Sequence, residues 1–377
     1  MRSILFNAIA AKHGGALVVH KAMLSSIDFD NLGVKVHVVT NSDLAVTELT
    51  LKSNPSIMVK QLPSILKNIA VYLQPLIIQY YAIKSNATLI ISQNVLIPIV
   101  TRPQLVFHIN VFNFVKNDGL TGKVAVLKQH LRQRASKKAL IKAKVNIFES
   151  EYLYRLALAK VPSPINAHVV YIGINESGLK NKSDIVKHEN REPILVAVSS
   201  QNPHKRNHQL LEILKILHTK KPNVNWTVKL YGAISEINIP KEFDKSLSSM
   251  EKHIQFLGYT TQDTIIKTID TSLCMICSSE IESFCTVALE SMKRGTPALV
   301  SPHTSMPESV GDAGFVYDQD SPQQAAIEII KLFENKPYFM DRARNSLKHS
   351  KTMTWNAAGT KFTQIIKEIV VLKSQST

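Results

Sequence analysis

The chain has 377 residues, 45% of them hydrophobic, with 45 Lys plus Arg against 29 Asp plus Glu and a net charge of +16. That hydrophobic share excludes a mainly disordered chain, and 13 Gly with 16 Pro exclude collagen-like or low-complexity design. Three Cys cannot build a disulfide framework and suggest a reducing compartment. The charge favours phosphate-rich partners: nucleic acid, anionic lipid or a phosphorylated substrate. It is unevenly spread. Residues 1–190 hold 23 Lys plus Arg and 10 Asp plus Glu, a surplus of +13, whereas residues 191–377 hold 22 and 19, a surplus of +3.

In chain order, the opening MRSILFNAIAAKHGG is too short and too soon broken by Asn7, Lys12 and His13 to be a signal peptide, and reads as a first buried strand. Short apolar runs at 3–9, 34–40, 88–92, 104–109 and 145–149 are predicted strands, with helices over 16–26 and 120–143. Residues 176–193 are polar and without hydrophobic period, the expected linker. The same grammar then repeats. Strands are expected at 194–198, 227–231, 254–257, 273–277 and 298–301, and helices at 208–217, 261–268, 287–294 and 323–334. This alternation predicts an α/β protein of two Rossmann-like parallel-sheet domains, 1–175 and 194–355, facing a central cleft at the carboxyl ends of their strands. No window offers the ~20 apolar residues of a spanning helix. The nearest, 69–81, is interrupted by Gln74, Pro75 and Gln79. The expected setting is cytoplasmic, peripheral on the inner face of the cytoplasmic membrane if a membrane is met at all.

The segment 278–296, SSEIESFCTVALESMKRGT, carries the most chemistry. A strand ends in a polar loop holding Glu282, and a helix from about Thr286 carries Glu290 one turn in. The amides of Phe284 to Val287 at the helix start favour an anion such as phosphate. Two carboxylates beside that anion can accept hydrogen bonds from hydroxyls, a combination that a sugar nucleotide supplies. A capping carboxylate and a solvated helix glutamate are the bland alternative, and the residues alone leave both open.

Glu282-Ser-Phe-Cys-Thr-Val-Ala-Leu-Glu290, followed by Gly295-Thr-Pro297, resembles the E-x7-E element of the retaining GT-B glycosyltransferases of family 4 (glycosyl transferases group 1). The runs Met306-Pro-Glu-Ser-Val-Gly-Asp-Ala-Gly-Phe-Val-Tyr-Asp318 and Ile254-Gln-Phe-Leu-Gly258-Tyr259 are similar to that family too, and the likeness covers most of 191–360. The resemblance implies the GT-B fold, with an acceptor-side N-domain, a donor-binding C-domain, and a last helix over 356–377 crossing back to the N-domain. It implies that Glu282 and the amides of Phe284 and Cys285 meet the donor sugar, with Ser283 and Thr286 in the same donor loop. Glu290 would bind the ribose, and Gly258 and Tyr259 would lie beside the base. Ser283 and Cys285 stand where the family usually has glycine, which narrows the space for a sugar.

Lys205 follows a strand in Val198-Ser-Ser-Gln-Asn-Pro-His-Lys205-Arg206, near the expected crevice, where it can neutralise a leaving diphosphate. An isolated lysine is more often solvated, but relatives in the family carry a lysine at this loop position. Relatives often have an arginine five residues earlier, where this chain has Ser200, so Arg206 is the expected second cation. His13, Gly14 and Gly15 follow the first strand and open a helix. The two glycines permit close approach of a diphosphate or acceptor, as in the family's N-domain glycine loop. Histidines near strand ends are usually structural, yet His108 resembles the family histidine that contacts the donor sugar. Catalytic roles are therefore expected for Glu282, Lys205 and His108.

The tract 116–144 holds nine Lys or Arg, among them Lys128, Arg132, Arg134, Lys137 and Lys138, with only Asp118 opposing. Val124, Leu127, Leu131 and Ala135 recur at helical spacing, which predicts one apolar and one cationic face. Docking on anionic lipid, a solvated face of a packed helix and nucleic-acid binding are the readings. No nucleic-acid-binding signature accompanies the charge, so lipid or a lipid-diphosphate acceptor stands first. Cys274-x-x-Cys277 lies in a strand, where the odd offset sends the thiols to opposite faces, and no metal site is expected. Trp355 would anchor the last helix. The expectation is a metal-independent retaining hexosyl- or N-acetylhexosaminyltransferase with a UDP- or GDP-linked sugar as substrate and no cofactor, acting in bacterial surface-polysaccharide (lipopolysaccharide or O-antigen) assembly. The alternatives are a nucleotide-sugar epimerase or phosphorylase on the same fold, or a non-enzymatic basic protein that binds membrane or nucleic acid.

Overall fold

A computed structural model of the chain describes residues 2–11, 14–41, 56–66, 69–116, 122–162, 165–174, 184–233 and 248–371. It divides into two units, Met1–Gly173 with Thr354–Thr377, and Ile174–Met353.

The first unit is built on seven parallel strands: β1 (Arg2–Ala8), β2 (Val34–Thr40), β3 (Ile57–Gln61), β4 (Ala87–Gln93), β5 (Gln104–His108), β6 (Val145–Phe148) and β7 (Ala167–Val169), in the order β3-β2-β1-β4-β5-β6-β7. β1, β4 and β5 are apolar runs buried on both faces, the pattern of a parallel sheet covered by helices. One side of the sheet is packed by Leu5, Ile9, Val39, Ile78, Ala82 and Ile90. The edge strands β3 and β7 were not expected from the sequence. Their residues are mostly half-exposed or exposed, so neither has the apolar run that marks the centre. The helix Trp355–Val371 belongs to this unit and packs on the helix Gly14–Ser26. Gly359 makes the approach possible, since a Cβ there would stand 2.0 Å from the Ser26 carbonyl oxygen. Thr363 Oγ1 accepts from the Asp28 amide at 3.0 Å, and the Phe362 ring meets Phe107 edge-on.

The second unit is built on β8 (Ile194–Ser200), β9 (Thr227–Ala233), β10 (Ile254–Gly258), β11 (Cys274–Cys277), β12 (Ala298–Val300) and β13 (Phe315–Val316), again all parallel, in the order β10-β9-β8-β11-β12-β13. Its core joins Leu195, Leu214, Trp226, Ile276, Ile329 and Phe339. The two-residue edge strand β13 escaped the hydropathy pattern.

The described part of the polar stretch before β8 is packed into this unit. Arg191, 7% exposed, donates to the carbonyls of Val186, Ser272 and Gly295 and to Thr296 Oγ1, and lies 4.9 Å from the Phe339 ring centre. A buried arginine satisfied by carbonyls is invisible to a hydropathy reading.

In both sheets the strand order reverses beside the first strand, between β1 and β4 and between β8 and β11. Loops leaving adjacent strands there diverge to opposite sides and open a crevice at the strand carboxyl ends. Among the described residues no helix is long and apolar enough to cross a membrane.

Candidate functional site

The site forms at the second sheet's switch point. The turn after β8 carries Lys205 and Arg206, and the loop after β11 carries Glu280 and Glu282. The topology alone brings these turns side by side. Lys205 Nζ donates to Glu282 Oε1 at 2.6 Å, with each side chain about one-fifth exposed. Burial pulls the Lys205 ammonium toward neutrality, but the Glu282 carboxylate outweighs it and the net shift is upward. Arg206 meets Glu280 Oε2 at 3.2 Å, so the expected second cation is held by an acid of the neighbouring loop.

Backbone contacts fix the pair. The Glu280 amide donates to the His204 carbonyl at 2.7 Å, and Ser278 Oγ to the Lys205 carbonyl at 3.0 Å. The Glu282 amide donates to Thr304 Oγ1 at 3.1 Å, and Ser305 Oγ donates to the Glu282 carbonyl at 3.1 Å. Ser278, Glu280, Thr304 and Ser305 were not picked out from the sequence. Short polar residues that hold a loop through its backbone carry no spacing signature.

A cavity of about 280 Å³ lies beside Lys205, lined also by Val198, Ser199, Ser200, Gly232, Tyr259, Thr260 and Ile265. Gly232, which the sequence reading passed over, admits no side chain. Its φ is +103°, and a Cβ would stand 2.2 Å from the Ser199 carbonyl oxygen. Gly258 has φ +65° and turns the end of β10 so that Tyr259 is 85% exposed at the cavity rim. The helix Gln262–Thr271, which gives the cavity Ile265, also carries Gln262, whose Nε2 donates to Glu290 Oε1 at 3.0 Å. Burial raises the Glu290 carboxyl above the usual carboxylate range, against the pull of Lys293 and Gln262. Gln262 is a further site residue that the sequence did not mark.

The helix Thr286–Lys293 begins without a side-chain cap on Cys285, which leaves its positive end to an anion. The expectation of four free amides needs correcting, because the Thr286 amide donates to the Phe284 carbonyl at 3.1 Å. Phe284 and Cys285 are buried, and Ser283 is half-buried.

Of the first unit's described candidate residues, one is buried and two open a helix. His108 is fully buried, its Nε2 2.9 Å from Asn146 Oδ1 and its ring stacked on Phe148 at 4.8 Å. Burial holds its pKa near 4. The residue closes β5 inside the hydrophobic layer, and its Nδ1 has no hydrogen-bond partner among the described residues. Gly14 and Gly15 open the helix Gly14–Ser26, and the space around Gly15 is clear. His13 lies outside the described residues.

The basic helix spans Lys123–Lys142, and its face pattern differs from expectation. The side that packs carries Ser136, Ala139 and Leu140, with Gln129 and Gln133 donating to the Val115 carbonyl. Val124, Leu127 and Leu131 are 67%, 59% and 55% exposed. Arg134 and Lys138 stand seven residues after Leu127 and Leu131, two helical turns on and on the same side. Apolar and cationic residues are thus interleaved on one outward face rather than segregated.

Residues 180–350 match the protein family described as "Glycosyl transferases group 1". A D-inositol 3-phosphate glycosyltransferase of Corynebacterium glutamicum is 21% identical over 182 residues, 47% of this chain and 44% of that protein. The O-antigen chain mannosyltransferase B of Escherichia coli is 28% identical over 105 residues, 28% of each chain. The chain spans less than half the length of these curated relatives. The crystal structure of Anabaena Alr3699/HepE in complex with UDP superposes with a TM-score of 0.70 at 18% identity, covering 98% of this chain and 100% of that one. The two parallel-sheet units therefore form a GT-B fold, and residues 180–350 within it match the glycosyl transferases group 1 family.

Proposed function

We propose that the protein is a retaining glycosyltransferase that moves a sugar from a nucleotide donor to a glycan or lipid-linked saccharide acceptor. The observation that carries this reading is the Lys205–Glu282 pair, 2.6 Å apart, fixed by backbone hydrogen bonds beside a cavity that Tyr259 rims. The base would stack at Tyr259, Glu290 would take ribose hydroxyls, and the diphosphate would face Lys205 and the uncapped helix start. As the sugar–phosphate bond breaks, negative charge grows on the leaving phosphate. A preorganised ammonium and helix dipole stabilise that charge more than they stabilise the intact donor. Glu282 fixes the ammonium beforehand and would hold sugar hydroxyls once the donor enters. The leaving phosphate would take the acceptor proton on the same face, which keeps the anomeric configuration and needs no enzyme carboxylate as nucleophile. UDP in the Anabaena structure supports a nucleotide donor. The relatives' inositol phosphate and O-antigen substrates support a phosphate-bearing or surface-glycan acceptor.

The first unit would receive that acceptor at an anionic membrane surface. The outward face of Lys123–Lys142 offers Leu127 and Leu131 beside Arg134 and Lys138. A cavity of about 720 Å³ at the end of this helix is lined by Arg102, Lys138, Lys142 and Lys144 over Leu96, Pro98, Ile99 and Val100. None of those four cations has an ion pair among the described residues. The cavity lies at the amino ends of β5 and β6, so that mixture suits an anionic lipid of the membrane surface rather than the reacting end of the acceptor.

A panel of UDP- and GDP-sugars, with and without lipid-linked saccharides, tests the reading. The expected result is turnover of one donor that rises with acceptor and falls in Glu290→Ala. Turnover of no donor contradicts it.

A further inference from the structure

The loop after β11 is tied at both ends by a thiol. Cys277 closes β11, and Cys285 stands immediately before the helix Thr286–Lys293. The Cys285 thiol points at Cys277 Sγ across 3.5 Å, a separation eight residues apart in sequence that the loop alone creates. Ser279 Oγ lies 3.6 Å and Met306 Sδ 3.8 Å from the same sulfur. The third cysteine, Cys274, is buried in the other face of the sheet and belongs to the main core.

We propose that Cys277 and Cys285 are an oxidisable dithiol, a modification site for hydroperoxides that closes as a reversible disulfide across the base of the donor loop. The sulfurs are in van der Waals contact and must close by only about 1.5 Å to reach a bonding distance near 2.05 Å. The two ends differ in freedom. Cys277 is fixed by parallel pairing of β11 with β12, where it faces Val300. Cys285 caps its helix through no side-chain hydrogen bond, so its thiol can swing without breaking a cap.

The chemistry is also asymmetric. The hydrogen bond from Cys285 holds Cys277 below the usual thiol range despite burial, whereas that bond and burial push Cys285 well above it. Cys277 accepts the hydrogen bond of the Cys285 thiol and keeps the larger exposed fraction of the two, 6% against 2%, so its thiolate is the nucleophile. It attacks the O–O bond of a hydroperoxide and becomes a sulfenic acid, while the other oxygen leaves and takes a proton as alcohol or water. Cys285 sulfur then attacks the sulfenic sulfur, and the displaced hydroxide leaves as water with the Cys285 proton. Two thiols lose two electrons and two protons in all, and one O–O bond is reduced. A cellular dithiol reverses the step by exchange.

Function enters because the bridged loop carries Glu282, and Cys285 immediately precedes the helix end offered to the diphosphate. This consequence rests on the donor reading above, whereas the bond formation does not. Closing the sulfurs draws the Cys285 backbone toward β11 and disturbs the Lys205–Glu282 geometry.

The test treats the full chain with hydrogen peroxide, then counts thiols after denaturation and maps peptides by mass. Loss of two of the three thiols is expected, with a linked Cys277–Cys285 peptide, a free Cys274 and full reversal by dithiothreitol. Cys277→Ser and Cys285→Ser should each abolish the bridge. Three persistent thiols, a bridge through Cys274, or Cys277 oxidised beyond sulfenic acid without a bridge overturns the proposal. Titration of UDP and of GDP into reduced and oxidised protein reads the coupling, with about tenfold weaker binding of the nucleotide that binds expected in the oxidised form. Equal affinity in both forms overturns the coupling. Binding of neither UDP nor GDP to either form would contradict the donor reading, while the peptide map would still decide the dithiol.

Discussion

The two switch points of this molecule were built from the same strand order and put to different ends. In the second unit, the loops after β8 and β11 meet in an ion pair, a set of side-chain-to-backbone hydrogen bonds and a cavity. In the first unit, the histidine at the end of β5, one strand beyond the switch point, is buried against Asn146 and Phe148. Its distinctive chemistry lies elsewhere, on an outward helix face and a cationic cavity. The charge follows the same division, +13 before residue 191 and +3 after it. Topology provides a crevice in both units, and in the second the acidic and basic side chains of the two flanking loops make it a charged site.

The predictions press on that contrast, beginning with the strongest. Lys205→Ala should lower the transfer rate about 10²–10³-fold, the loss seen when one group that stabilises transition-state charge is removed. His108→Asn should leave the donor's KM unchanged in whatever protein folds. A steady-state assay on both variants checks the contrast. An effect on donor KM at His108, with an unchanged transfer rate at Lys205, would reverse the assignment of the two regions.

Gly232→Ala should destabilise the second unit by about 2–3 kcal/mol, because a methyl group must enter space held by the Ser199 carbonyl at a backbone angle that disfavours side chains. Denaturant unfolding reads this as a lower midpoint with unchanged slope. Charge reversal of Arg132, Arg134, Lys137 and Lys138 should abolish flotation with anionic liposomes yet leave UDP binding intact. Loss of UDP binding instead would join the two regions that the account separates.

The smallest effect concerns Glu290. Burial raises its carboxyl in the folded state, so ionising it costs stability, and the cost appears as pH rises through the unfolded value toward the folded one. Glu290→Gln should therefore raise Tm at pH 7. The gain should vanish at acid pH, below the ordinary carboxylate range, where both states are protonated. Thermal melts at the two pH values decide it.

The central strands and most helices were legible because buried parallel strands read as continuous apolar runs. Edge strands β3, β7 and β13 were not, since each is short or half-exposed and its identity comes from a neighbour rather than from its own pattern. At the site, Lys205, Glu282, Glu290 and Tyr259 were visible through charge, motif order and resemblance. Gly232 and Gln262 were hidden, because their parts depend on which carbonyl or carboxylate another strand or helix places opposite them. The same holds for the two thiols. Attention to the Cys274–Cys277 spacing hid the contact that matters, which runs from Cys277 to Cys285 across a loop. The basic helix misled in the reverse direction. Its apolar spacing was correctly seen, but spacing alone does not say which face packs, and the side with Ser136, Ala139 and Leu140 is the one that does.

The central claim is that the second switch point holds a nucleotide diphosphate. Calorimetric titration of UDP and GDP into the wild-type chain and Lys205→Ala tests it most directly. The account predicts saturable, one-to-one binding of one nucleotide to the wild type, at least about tenfold weaker in the variant, as the loss of a charge-assisted contact to phosphate implies. Equal affinity of the two proteins for that nucleotide would contradict it.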